Sequence, residues 1–219
     1  MTSSAESTGS AFEGVPDYGF KHPGAAHTMA YLIPAIESVA GPLTPGMRVL
    51  DVGCGNGYLA NWFAEKGCAV VGIDPSGSGM EQARRAYPRV RFEQLVADEH
   101  LLGKLGEPAF DLVVSTEVVE HLYAPREWAQ GMFHCLRPGG RLVCTTPYHG
   151  FLKNVAIALT NKYDAHHNPL WDGGHIKFWS PATLGKLLTE CGYTRTSWRG
   201  AGRIPGLWMS LVMTGVKPG

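Results

Sequence analysis

The stretch Arg48-Val49-Leu50-Asp51-Val52-Gly53-Cys54-Gly55-Asn56-Gly57 constrains the fold more than any other part of the chain. An apolar run passes into Asp-x-Gly-x-Gly-x-Gly, and a helical pattern from Tyr58 to Lys66 follows at once. That order predicts a buried strand, a tight glycine turn and a helix N-terminus. Glycines let backbone approach a ligand closely and take conformations closed to other residues. The N–H groups at a helix start favour electron-rich or anionic ligand groups. A second acid, Asp74, closes the next apolar run, Ala69 to Ile73, where a carboxylate can accept both hydroxyls of a ribose. A glycine turn with an acid about 20 residues on is the physical signature of an adenosine-binding βαβ unit.

Spacing narrows the ligand. A dinucleotide fingerprint reads Gly-x-Gly-x-x-Gly, whereas these glycines recur evenly and Asp51 stands just before them. A Walker loop needs Gly-Lys-Ser/Thr, which the chain lacks. The residues resemble those of class I S-adenosylmethionine-dependent methyltransferases. The resemblance implies that Asp51 helps hold the amino-acid part of the cofactor. It also implies that the turn Gly53-Cys54-Gly55-Asn56-Gly57-Tyr58 passes beneath the cofactor, and that Asp74, followed by Pro75, clamps the ribose. Phe110-Asp111-Leu112-Val113 and Leu136-Arg137-Pro138-Gly139-Gly140 add to the likeness, which covers Met47 to Val143 closely and the C-terminal third more loosely.

At 219 residues the chain suits one α/β domain with a small cap. Nineteen basic residues balance nineteen acidic ones, so no electrostatic footprint argues for nucleic acid. Cys54, Cys68, Cys135, Cys144 and Cys191 lack Cys-x-x-Cys spacing and read as reduced thiols of a cytosolic protein. The Ser/Thr/Gly-rich N-terminus has neither the basic nor the apolar region of a signal peptide. No apolar run approaches the ~20 residues of a membrane span. The expectation is a soluble, cytoplasmic monomer or homodimer without stable membrane insertion. Residues 1–26 are expected to be mobile and, by the same resemblance, to fold over the cofactor, with Tyr18, His22 and His27 as lid candidates.

Periodicity and punctuation give the elements. Helices are expected over His27 to Val39 (interrupted or kinked at Pro34), Tyr58 to Lys66, Ser76 to Pro88, Pro125 to Leu136 and Pro181 to Cys191. Strands are expected over Met47 to Val52, Ala69 to Ile73, Arg89 to Val96, Phe110 to Ser115, Arg141 to Thr145, Tyr193 to Trp198 and Leu207 to Thr214, with a turn at Arg137 to Gly140. Alternating strands and helices mean a doubly wound α/β sheet. The whole is a Rossmann-like, seven-stranded, mostly parallel sheet with one antiparallel strand near the C-terminus and a small lid.

Ala97-Asp98 falls where the family places its adenine contact, although a surface-loop acid would read the same way. Ser115-Thr116-Glu117-Val118-Val119-Glu120-His121 is similar to the Glu-Val-x-Glu-His of ubiquinone-biosynthesis type O-methyltransferases, which implies that backbone around Ser115, Thr116 and Glu117 lies beside the reacting methyl. Glu117, Glu120 and His121 have the chemistry of a base or a hard-cation site, but capping of the loop is the favoured reading and no metal is expected. Thr145-Thr146-Pro147-Tyr148 is similar to the Asn/Asp-Pro-Pro-Tyr box of amino-group methyltransferases, yet it follows the fifth strand rather than the fourth, which argues against that chemistry.

Residues 149–179 form a long connection of the kind that often makes a lid. It holds a short helical pattern, Phe151 to Leu159, and His149, His166, His167 and His175. Histidine is suited to take a proton from a hydroxyl near neutral pH. His175, His121, His149 and His166 are the catalytic candidates. Tyr148, Trp171, Phe178 and Trp179 are candidates to wall an aromatic or quinone-like acceptor, with plain cap packing as the alternative. A zinc site from Asp164, His166, His167 and His175 has no compact ligand spacing. Arg199 and Arg203 flank the last glycine-rich connection, where either suits an acidic substrate group. The reading that follows is transfer of a methyl group from S-adenosylmethionine to a small-molecule hydroxyl or phenol. Transfer to nitrogen or carbon, or binding of the cofactor without catalysis, remain as alternatives.

Overall fold

The computed structural model describes residue 22, residues 24–171 and residues 173–219. Seven strands form one sheet: β1 (Arg48–Val52), β2 (Ala69–Ile73), β3 (Arg91–Glu93), β4 (Phe110–Thr116), β5 (Leu136–Pro147), β6 (Thr194–Ala201) and β7 (Ser210–Val216), in the order β3-β2-β1-β4-β5-β7-β6. β1 pairs in parallel with β2 and β4, β2 with β3, and β4 with β5. β7 alone runs against its neighbours β5 and β6. Eight helices complete the described chain: α1 (Met29–Ala40), α2 (Tyr58–Glu65), α3 (Gly77–Ala86), α4 (Leu101–Leu105), α5 (Pro125–Cys135), α6 (Phe151–Leu159), α7 (Tyr163–His167) and α8 (Pro181–Glu190).

Side-chain alternation along the strands builds two cores. Val49, Leu112, Val114, Val143 and Val212 face α1, α2 and α3, packing on Leu32, Ile36, Phe63 and Met80. Their neighbours Leu50, Val113, Leu142, Cys144, Leu211 and Met213 face α4, α5 and α8, packing on Leu101, Trp128, Met132 and Leu184. Burial on both faces is why these strands read as nearly continuous apolar runs. Each fully buried Leu, Ile or Phe contributes roughly 1.5–3 kcal/mol.

Four details differ from the sequence reading. α1 runs unbroken through Pro34. The edge strand β3 is three residues long, because only Arg91, Phe92 and Glu93 find partners on β2. Arg137 to Gly140 are taken into β5 as a bulge: β4 advances from Phe110 to Leu112 while β5 advances from Leu136 to Arg141. α4 and α7 are five residues each, too short to declare a helical period. Among the described residues no helix is long and apolar enough to cross a membrane.

Candidate active site

Ligands of open α/β sheets bind outside the carboxyl ends of the strands, where the order reverses. Here that point is the end of β1, between β2 and β4. Gly53 and Gly57 both have positive φ, 74° and 81°. A Cβ on Gly53 would stand 2.3 Å from Val118 Cγ2, and one on Gly57 would stand 2.7 Å from Phe92 Cζ and 2.8 Å from Ala83 Cβ. The turn is therefore closed to side chains by conformation and by space together. Gly53 N–H and Cys54 N–H donate to Ile73 O at 2.8 and 3.0 Å, holding the turn against the end of β2.

Asp74 fastens the two halves of this corner. Its Oδ2 accepts from Gly55 N–H at 2.9 Å and its Oδ1 from Ser76 N–H at 2.8 Å. Pro75 O accepts from the Gln94 amide at 2.9 Å. Asn56 accepts from Tyr58 N–H and donates to the carbonyls of His22 and Gly24, both at 2.9 Å. The start of the described chain is thus tied to the glycine turn; Tyr18 lies outside the described residues.

Asp51 is fully buried at the end of β1, and neither carboxylate oxygen makes a hydrogen bond of good geometry among the described residues. Burial, and then the charge of Asp74, push its carboxyl up to about 7. A buried carboxylate that only the Ala60 backbone N–H approaches is costly. An ammonium group entering beside it would relieve that cost, so the residues present fit a cofactor with an amino-acid moiety.

A second cluster grows from the end of β4. Ser115 Oγ donates to Val52 O at 2.9 Å, bracing β4 on β1, and Thr116 makes the last register pair with β5, opposite Thr145. Glu117 has a φ of 53°, sparsely populated for a residue with a side chain. Thr145 holds it there: Glu117 N–H donates to Thr145 Oγ1 at 3.1 Å, and Thr145 Oγ1 donates to Glu117 Oε1 at 2.8 Å. Thr146 does the same for Glu120, donating to Oε2 at 2.9 Å. Burial raises the carboxyl of Glu117; burial and the charge of Glu117 raise that of Glu120 well above the usual range.

Glu120 also anchors the connection 149–179. Its carbonyl accepts from Ile176 N–H and Lys177 N–H at 3.0 Å. His121 Nδ1 donates to the carbonyls of Gly173 and Gly174 at 2.7 and 3.2 Å, which leaves Nε2 as the basic nitrogen, 4.0 Å from Glu120 Oε1. His175 Nε2 lies 3.9 Å from the same oxygen, which has no hydrogen-bond partner among the described residues. Burial, then the neighbouring His121, lower His175 to about 4, so its ring is neutral near pH 7.

A cavity of about 580 Å³ opens beside this cluster. Glu117, His149, His166, His167 and His175 line it, together with Tyr31, Lys153, Arg203 and Ser210. Burial, and then the charge of Lys153, lower His149 to about 4. Two groups of side chains bring possible metal-ligand atoms within 4.8 Å of one another: Glu120, His121 and His175, and His149, His166 and His167.

Several expected partners stand elsewhere. Tyr148 is buried, stacked on Trp198 at 6.3 Å and edge-on to Trp208 at 5.2 Å, so it belongs to the core rather than the cavity wall. Trp179 Nε1 donates to Val119 O, and Trp171 packs edge-on to His121. Phe178 backs His149 and His167. None of the three lines the cavity described above. Arg199 turns to Ser38 on α1, while Arg203 reaches the cavity. The carboxylate of Asp98 serves α4, accepting from His100 N–H at 2.9 Å and pairing with Lys104; Ala97 packs against the core. Tyr31, Lys153 and Ser210 line the cavity but carry no motif. They come from α1, α6 and β7, which only the tertiary fold brings together.

The chain matches the family model described as a methyltransferase domain over residues 25–197. A ubiquinone biosynthesis O-methyltransferase of Roseobacter denitrificans is 32% identical over 193 residues, covering 79% of this chain and 74% of the relative. Another, of Aromatoleum aromaticum, is 30% identical over 151 residues, 67% of this chain and 64% of the relative. The match to this latter protein thus spans somewhat less than two thirds of its length. Among solved structures, the Haemonchus contortus phosphoethanolamine N-methyltransferase 2 in complex with S-adenosyl-L-methionine shares the fold, with a TM-score of 0.63 at 19% identity over 92% of this chain and 55% of that one. Sheet order, glycine turn and family match agree: the chain belongs to the class I S-adenosylmethionine-dependent methyltransferases.

Proposed function

We propose that the protein transfers the methyl group of S-adenosylmethionine to the hydroxyl of a small, phenol-like acceptor in the cavity beneath residues 149–179. The observation that carries this reading is the buried Glu120–His121–His175 group, which meets the cavity one loop away from the glycine turn, where Gly53 abuts Val118.

In this reading Asp51 receives the ammonium of the cofactor and the turn Gly53 to Tyr58 carries its amino-acid end. Asp74, at the end of β2, takes the ribose hydroxyls. With the Asp98 side chain engaged by Lys104, the adenine contact falls to backbone at Ala97 and Asp98. Backbone from Ser115 to Glu117 borders the sulfonium. The acceptor oxygen attacks the methyl carbon in line, the C–S bond breaks, and its electron pair stays on sulfur as a neutral thioether. The protein aligns the three atoms and excludes water.

A hydroxyl, unlike an amine, must also lose its proton to become a good nucleophile. His175 lines the cavity with its Nε2 3.9 Å from Glu120 Oε1, so it is assigned as the base. Proline-rich grip residues for an amine are absent from the end of β4, and the two sequence relatives named above, at 32% and 30% identity, are O-methyltransferases. Incubation with methyl-labelled S-adenosylmethionine and a panel of catechols and hydroquinones tests the reading. Label should appear in a methoxy product. Label carried only by amine acceptors, or by none in the presence of bound cofactor, would refute it.

A further inference from the structure

We propose that His149, His166 and His167 form a divalent transition-metal site, of the zinc or cobalt class, on the wall of the cavity. The ligand nitrogens of the three rings lie within 4.8 Å of one another. Zn–N bonds of about 2.0–2.1 Å in a tetrahedral site put ligand nitrogens about 3.4 Å apart. Closing the remaining gap asks little of the scaffold, because α7, which carries His166 and His167, has no buried residue. Adjacent histidines seldom reach one ion, but these two rings stand at 87° with centroids 4.8 Å apart, and His149 sits 5.7 and 5.6 Å from them.

Three imidazoles without a carboxylate select zinc-like ions over magnesium or calcium. Three protein ligands also leave a fourth position open, the arrangement of reactive rather than structural sites. The three rings line the cavity together with Lys153 and Arg203. Two cations nearby disfavour a bare dication and favour one completed by an anionic oxygen, such as hydroxide or a deprotonated acceptor hydroxyl. The role for the acceptor rests on the methyl-transfer reading; metal binding does not.

Titration of the intact protein with Co²⁺, followed by visible absorption, tests the site. One equivalent should give the intense bands of a four-coordinate ion, displaced by Zn²⁺. His166→Ala and His167→Ala should each weaken binding by roughly 100-fold or more, beyond the 10–100-fold cost of losing an outer-shell partner. His166 is exposed, so its variant is expected to fold. His175→Ala should leave the bands unchanged. Absence of bands in the wild type would overturn the proposal. So would bands that survive His166→Ala and vanish in His175→Ala, which would move the ion to Glu120, His121 and His175. Titration of each protein with S-adenosylhomocysteine, read by heat, separates this proposal from the methyl-transfer reading, since cofactor binding should persist in all of them.

Discussion

The glycine turn and the connection 149–179 are built in opposite ways. The turn sits on strands buried on both faces, and α2 behind it sinks Leu59, Ala60 and Phe63 into the core. α6 and α7 have no buried residue, and Phe151, Leu159 and Leu170 are each at least 80% exposed. One region stores its ligand geometry in packing. The other holds its shape through a few polar ties, from Glu120 and His121 to residues 173–177. A closely packed glycine turn beside a loosely packed connection suits an enzyme family that keeps one cofactor and changes acceptors.

Variants of the two regions should therefore behave differently. Gly53→Ala is expected to have the largest effect, because it forces a side chain into a left-handed residue 2.3 Å from Val118. Loss of roughly 2–4 kcal/mol in denaturant unfolding, with loss of S-adenosylhomocysteine binding, is expected. An unchanged titration would break the claim that packing shapes the turn.

His175→Ala comes next. Turnover should fall roughly 10²–10⁴-fold, the range of a lost general base, while the Kd for S-adenosylhomocysteine stays within about twofold. Equal losses in both would make His175 a structural residue.

Asp51→Asn should weaken cofactor binding by about 10–100-fold, the cost of one charge-assisted contact. It should also stabilise the ligand-free protein at pH 8. The folded carboxyl titrates near 7, above its ordinary 3.8. The folded state thus binds a proton more tightly than the unfolded chain, and wild-type stability falls as pH rises between those values. The advantage of the variant should be absent below pH 3.8, grow up to about 7 and then level off, reaching a few kcal/mol. A denaturation series over pH checks it; a pH-independent difference would remove the buried-charge account.

Leu159→Ser should do least. With 83% of its surface exposed, it is expected to change stability by no more than about 0.5 kcal/mol. A larger loss would mean that the connection packs more tightly than its surface indicates.

The same contrast decides what the sequence discloses. The strands around Asp51 and Asp74 announce themselves because a strand buried on both faces must be apolar, and a turn closed to side chains must be glycine. The histidines of the connection were legible as reactive types. Their grouping was not, because His149 leaves β5 and meets His166 and His167 only after α6 turns the chain back. Thr145 and Thr146 read as a box out of place, and nothing local says that their hydroxyls hold Glu117 and Glu120 in the loop after β4. Tyr148 looked like an acceptor wall because aromatic residues suit both walls and cores; only the positions of Trp198 and Trp208 decide.

The most direct test is a calorimetric titration of S-adenosylhomocysteine into the wild type, Asp74→Ala and His175→Ala, with NAD⁺ as control ligand. The account predicts binding to the wild type and to His175→Ala with matching affinity, marked weakening in Asp74→Ala, and no heat with NAD⁺. Heat with NAD⁺ alone, or full affinity in Asp74→Ala, would contradict it.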